Sequence, residues 1–271
     1  MITVAMICRD EWEYIPYSLG LAMEYADRVV VVFTGDASSP TRSLLQEMSK
    51  EHDDFILIDY PWTGCHASAR RQYVPHLLDG WFWHIDADEI WYRSAVEKTI
   101  EYLPRAKAAY LNINMKHFKN THFTCSHRFM QRVRWMKIDL TGYDYDIAGS
   151  HIADDLVRRP KGNTSSSENL LPAFGTPGTA TEYPCYEKQL HVLHFSHCSE
   201  HRLAGRDLQK SMEWPVRDLL VAFPGPYPSQ CKGASWIGDA GVWYSDTPPM
   251  YLVDPYFATQ AWNAENERIT W

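Results

Sequence analysis

The chain has 271 residues, enough to bury a large core as one domain, or one domain with a substantial appendage. Its 26 Lys plus Arg against 34 Asp plus Glu leave a formal charge of −8. That balance argues against general nucleic-acid binding and requires a local basic patch or a cation wherever a phosphorylated ligand is held. The six cysteines, Cys8, Cys65, Cys125, Cys185, Cys198 and Cys231, show no Cys-x-x-Cys spacing and read as reduced thiols. Aromatic residues reach 14%, a content that suits sugar-stacking faces and large cores alike. Met1 to Tyr14 turns charged at Arg9 and does not read as a signal peptide. No apolar run approaches the roughly 18 residues of a membrane span. The expectation is a cytoplasmic enzyme without a membrane span.

The first hundred residues alternate strand and helix signals. Ile2 to Cys8 reads as a buried strand, and Asp10 with Glu13 as a capping pair for a helix bearing Ile15, Leu19, Ala22 and Met23. Pro16 implies a late start or a kink there. Arg28 to Thr34 is a Val-rich strand. Ser39-Pro40 then forms an N-cap and first helical position. Phe55 to Asp59 is a third strand, residues 66–79 a helix interrupted by Pro75, and Trp81 to Asp86 a fourth strand. Ser94 and Glu97 suggest a capping box ahead of a helix that Pro104 stops. This alternation predicts a mostly parallel sheet flanked by helices, with ligands beyond the carboxyl ends of the strands. Further on, Lys107 to Asn114, His127 to Ile138 and Leu190 to Cys198 read as strands, Pro160 to Tyr186 as a lid or long loop, and Ser199 to Trp214 as a helix.

The most informative segment is Trp81 to Ile90, Trp-Phe-Trp-His-Ile-Asp-Ala-Asp-Glu-Ile. A buried strand cannot carry ionised carboxylates in its middle, but it can deliver them at its end. If the extended geometry persists, Asp86 and Asp88 point the same way, as hard oxygen donors for Mg²⁺ or Mn²⁺ facing a phosphate. Asp86-Ala87-Asp88-Glu89 after an apolar strand resembles the Asp-X-Asp motif of GT-A glycosyltransferases, family 2 in particular.

The resemblance implies a GT-A-like, Rossmann-like α/β fold, with a nucleotide-sugar half over residues 1–105 and an acceptor half over 106–271. It implies transfer of a sugar from a nucleotide-diphosphate sugar donor to a hydroxyl of a glycan or other acceptor, with inversion favoured. Residue by residue, Arg9 and Glu11 in Cys8-Arg9-Asp10-Glu11 take the place of the family's Lys-Asn-Glu-Glu-like nucleotide contacts, and Asp36 that of the ribose- or base-binding carboxylate. Arg70 takes the place of an arginine near the diphosphate, whereas Arg71 replaces the family's asparagine. Asp88 and His194 would hold the metal, Asp86 assisting it and the nucleotide, with His194-Phe195 matching a His-aromatic pair. His197 is the second choice. Gly149 to Asp155 loosely resembles the segment carrying the catalytic base, leaving Asp154 and Asp155 open, with His151 nearby. As plain residues, Asp10 and Asp36 also serve as cap and turn, and Arg202, Arg206 and Lys210 form a basic stripe that is either a solvated face or a phosphate-neutralising edge.

Three other readings compete. A zinc site could draw on Cys185, His191, His194, His197, Cys198 and His201, but without knuckle spacing. A sugar-nucleotide nucleotidyltransferase would carry a Gly-rich loop after the first strand, and Cys8 to Tyr14 has no glycine. A non-catalytic carbohydrate-binding protein would account for the aromatics but not for Arg70, Asp86, Asp88 and His194.

Overall fold

The computed structural model describes residues 1–119, 122, 124–126, 130–148, 155–161, 181–182, 190–197, 220–223, 225–237 and 242–248. The chain forms two units: residues 1–87, 105–112 and 133–182 make the first, and 88–104, 113–132 and 183–271 the second. The architecture is mixed α/β, with parallel pairing in the frame predicted from the alternating signals.

In the first unit, β1 (Ile2–Cys8), β2 (Arg28–Phe33), β3 (Phe55–Asp59) and β4 (Gly80–His84) lie in the order β3-β2-β1-β4, all parallel. The Val-rich run of β2 explains its central place: Val29 to Val32 are fully buried, as a strand covered on both faces requires. β8 (Met130–Ile138) runs antiparallel to β4, with Trp83 opposite Trp135 and their rings stacked at 4.6 Å. The first residues of β6 (Tyr110–Lys119) follow β8. β9 (Tyr143–Ala148) and β10 (Asp155–Pro160) form a separate antiparallel ribbon, and the short β11 (Thr181–Glu182) runs parallel to Tyr110 and Leu111 of β6.

Helix α1 (Ile15–Met23) starts late, so Pro16 sits harmlessly in its first turn and Asp10 and Glu13 are not its cap. Ser39 caps α2 (Pro40–Met48), its Oγ accepting the Thr41 N–H at 3.2 Å. The helix expected over 66–79 is shorter: α3 (His66–Arg70) gives way to a 3₁₀ segment, Arg71–His76, around Pro75. Proline removes an N–H and crowds the preceding turn, so the tighter helix ends there. Tyr73 and Leu77 still reach the core.

The second unit contains β5 (Glu89–Trp91), α4 (Arg93–Tyr102), the rest of β6, β7 (Thr124–Ser126), β12 (Leu190–His197) and β13 (Leu220–Ala222). β12 lies between β5, to which it is antiparallel, and β6, to which it is parallel. The capping box expected of Ser94 and Glu97 does not form. α4 begins at Arg93, which puts Ser94 inside the first turn, where its N–H donates to the Asp246 carbonyl at 3.1 Å. Phe118 and Phe195, ring centroids 4.5 Å apart, lead an aromatic cluster that includes Phe223, Tyr227 and Trp236. Cys8, Cys65, Cys125 and Cys231 are free thiols; burial pushes Cys125 up to about 11 and Cys8 well above the ordinary thiol range.

The loops after β1 and β2 are locked together. Thr34 donates both its N–H and its hydroxyl to the Cys8 carbonyl, at 2.8 and 3.1 Å. A Cβ on Gly35 would stand 2.7 Å from the Arg9 carbonyl oxygen and 2.6 Å from the Phe33 ring. Gly35→Ala is therefore expected to destabilise the protein by about 1–3 kcal/mol, because neither backbone nor packed ring yields cheaply; urea unfolding measures it.

Candidate active site

The polar side chains form three groups, two at the strand ends of the first unit and one where β5, β12 and β6 run side by side in the second.

The first is the β1 loop. Glu11 folds back on it, its Oε2 accepting the N–H groups of Arg9 at 2.6 Å and Asp10 at 3.0 Å, so the carboxylate shapes the loop instead of standing clear of it. Asp36, at the end of β2, accepts the Ser38 N–H at 2.8 Å and the Ser38 hydroxyl at 2.6 Å. These bonds hold its carboxyl below the usual range. Arg9 and Asp36 are thus placed at carboxyl ends of parallel strands.

The second group surrounds Asp86. β4 ends at His84, and the extended geometry does not persist through the acidic triplet. Asp86 Oδ2 lies 2.6 Å from Arg134 on β8, and Oδ1 lies 3.3 Å from Arg70 at the end of α3. His84 Nε2 stands 3.5 Å from Asp86 Oδ1, and its Nδ1 3.4 Å from Arg134. The expected diphosphate arginine and the expected nucleotide carboxylate are therefore brought together. Arg71 points elsewhere, bonding Asp146 at 3.2 Å and the Ile147 carbonyl at 2.8 Å.

Burial, then the positive charge of Arg70, holds His84 well below the usual imidazole range, Asp86 opposing and Arg134 adding to the effect. Unfolded, the same ring takes a proton near pH 6.5. Below that pH the unfolded chain binds more protons, so stability falls on acidification, by up to about 1.4 kcal/mol per pH unit from this ring. His84→Gln removes that contribution. The stability gap between the two proteins, from urea unfolding at pH 7 and pH 5, is expected to narrow at the lower pH.

The third group is the most enclosed. In the second unit His194 of β12 is in register with Glu89 of β5 on one side and with His117 of β6 on the other. Side chains in register on neighbouring strands share a face, so the three form one row across the ladder. Asp88 precedes β5, and its carbonyl accepts the Phe195 N–H at 3.0 Å. His194 Nε2 lies 3.2 Å from Asp88 Oδ1, and His194 Nδ1 lies 3.2 Å from His117 Nε2. Ligand atoms of Glu89 and His194 fall within 4.8 Å of one another. Asp88, Glu89 and His117 are buried, whereas His194 keeps some exposure. Two carboxylates closed off from water around an imidazole are the donor chemistry that a divalent cation takes.

The expectation that His194 is freer than its strand neighbours matches its place, since His191, Val192, Leu193 and Phe195 are all fully buried. His191 is structural: its Nδ1 accepts the Asn114 N–H at 3.1 Å and its carbonyl accepts the Tyr92 N–H at 3.0 Å. Of the residues invoked for zinc, Cys185, Cys198 and His201 lie outside the described residues, as do Asp154, His151, Arg202, Arg206 and Lys210. Asp155 opens β10, its backbone paired with Ala148; the side chains of Asp155 and His197 are outside the described set. Sequence reasoning missed His84, His117 and Glu89 as site residues. No local signal marks His117, because the strand also carries Asn112, Asn114, Lys116 and Lys119.

The parallel α/β frame with acidic and basic side chains at its strand ends is GT-A-like. The match to Glycosyl transferase family 2 spans residues 3–154, more than half of the chain, and the chain belongs to that family. Among solved structures it is similar to S. aureus TarS 1–349 in complex with UDP-GlcNAc, at 12% identity and TM-score 0.42 over 76% of this chain and 61% of that one. A second TarS structure gives 14% and 0.37 over 43% and 22%. 4-Diphosphocytidyl-2C-methyl-D-erythritol synthase gives 14% and 0.32 over 50% and 74%. The chain spans less than two thirds of either TarS chain. No curated protein sequence matches it.

Proposed function

We propose that the protein transfers a sugar, a hexosyl or related unit, from a nucleotide-diphosphate donor to an acceptor hydroxyl, with inversion and with Mn²⁺ or Mg²⁺. The observation that carries this reading is the buried approach of His194 to Asp88 at 3.2 Å, directly after the apolar strand run that ends in Asp86-Ala87-Asp88. Asp88 and His194, with Glu89 in register, would hold the cation. When bound it supplies positive charge against the diphosphate leaving group. Asp86 is better suited to orienting Arg70 and Arg134, whose guanidiniums offer paired hydrogen bonds to phosphate oxygens. Arg9 and Asp36 serve the nucleoside from the strand ends, with Glu11 holding the Arg9 loop in shape. Asp154 or Asp155 is assigned to take the acceptor proton. Binding, more than chemistry, is then the task of the first two groups: they orient the donor and exclude water from its anomeric carbon.

The β1 loop favours this reading over nucleotidyl transfer. A loop that cradles a triphosphate presents backbone N–H groups, and those of Arg9 and Asp10 are already given to Glu11. The test is thermal shift with UDP, GDP and CDP, each with and without Mn²⁺, followed by donor hydrolysis across a panel of sugar nucleotides. One diphosphate is expected to stabilise the protein only with Mn²⁺, by about 2.7 kcal/mol at a hundredfold excess over Kd. No response in any combination overturns the proposal.

A further inference from the structure

We propose that His117 is the positioning residue for His194, setting which ring nitrogen of His194 carries the proton and thereby the strength of the cation site; this rests on the cation reading above. The two imidazoles are register partners on adjacent parallel strands, Nδ1 to Nε2 at 3.2 Å, with ring planes 70° apart. His117 is buried, as are its strand neighbours Lys116 and Phe118. An imidazole is retained there only where hydrogen bonding offsets its desolvation.

The chemistry requires one atom to play two parts. Without a cation, a neutral His194 facing Asp88 with Nε2 carries its proton there, so its Nδ1 is an acceptor and His117 Nε2 donates. To give the Nε2 lone pair to a cation, His194 must carry its proton on Nδ1, and His117 Nε2 must then accept. An imidazole meets both demands by exchanging tautomers. A glutamine amide meets them by presenting either its oxygen or its nitrogen. A phenyl ring fills the space and meets neither. Glu89 is in register with His194 from the strand on the other side.

The experiment titrates the full-length protein with Mn²⁺ alone, reading free Mn²⁺ by electron paramagnetic resonance, in wild type, His117→Phe and His117→Gln, with thermal melts of each. Phe is expected to weaken Mn²⁺ binding by about 10–100-fold, and Gln to recover most of the loss although both variants melt lower. In parallel, long-range ¹H–¹⁵N spectra of the wild type are expected to show the His194 proton moving from Nε2 to Nδ1 on adding Mg²⁺. Wild-type affinity in the Phe variant, a Gln variant as weak as Phe, or a His194 proton that stays on Nε2 each overturns the role of His117. A wild type that binds no Mn²⁺ overturns the cation reading itself and the proposal with it, whereas failure of His117 alone leaves wild-type binding intact.

Discussion

Asp88→Ala is expected to lower sugar transfer by at least about 100-fold and to abolish the Mn²⁺-dependent thermal shift. Asp88 is 3% exposed and its carboxylate faces His194 Nε2, so its removal deletes a buried hard oxygen donor beside His194 without touching the strand ladder. Losing one preorganised electrostatic partner of a developing charge typically costs 10²–10³ in rate. Asp88→Asn separates charge from shape: it keeps an oxygen in place but loses the negative charge, and is expected to retain the fold while binding Mn²⁺ poorly. Steady-state kinetics across Mn²⁺ concentrations decide the matter. If Asp88→Ala transfers sugar at the wild-type rate, the cation does not depend on this carboxylate.

Asp86→Ala is expected to act mainly on stability. Its carboxylate is shared by Arg134, 6% exposed in its side chain, and Arg70, 11% exposed, with His84 alongside. Taking away one partner of a buried ion pair costs about 3–5 kcal/mol, since the remaining charges keep their desolvation cost and lose the group they share. For a chain of this size that corresponds to a fall in Tm of roughly 6–15 °C. Asp86→Asn keeps one acceptor oxygen and should lose less. Calorimetry of the three proteins measures the series. A melting temperature unchanged in Asp86→Ala would show that the arginines are neutralised by other groups.

The parallel frame was legible because its evidence is local. Short apolar runs bounded by turn residues mark β1 to β4, and Ser39-Pro40 marks the start of α2 through the chemistry of one side chain and one ring. The misreadings were local too, where two signals competed. Pro75 within a helical pattern became a 3₁₀ segment, and Ser94 with Glu97 satisfied a capping pattern while the helix had already begun at Arg93. The acidic triplet was found for a sound reason, the cost of burying carboxylates mid-strand. The assumption that its extended geometry continued was the weak step, because β4 stops at His84 and Asp86 turns to two arginines.

The pairing of side chains from distant segments is another matter. Asp88 and His194 are over a hundred residues apart in the chain, and family likeness put them together before any coordinate did. Nothing local marks Glu89 and His117 as their company, because which strands flank β12, and in what register, is decided by sheet assembly. The chain by itself determined the periodicity, the strand-end carboxylates and the family, since these depend on residue order within a few positions. Only the tertiary structure decided which imidazole meets which carboxylate, since a one-residue slip in strand pairing turns a side chain to the other face.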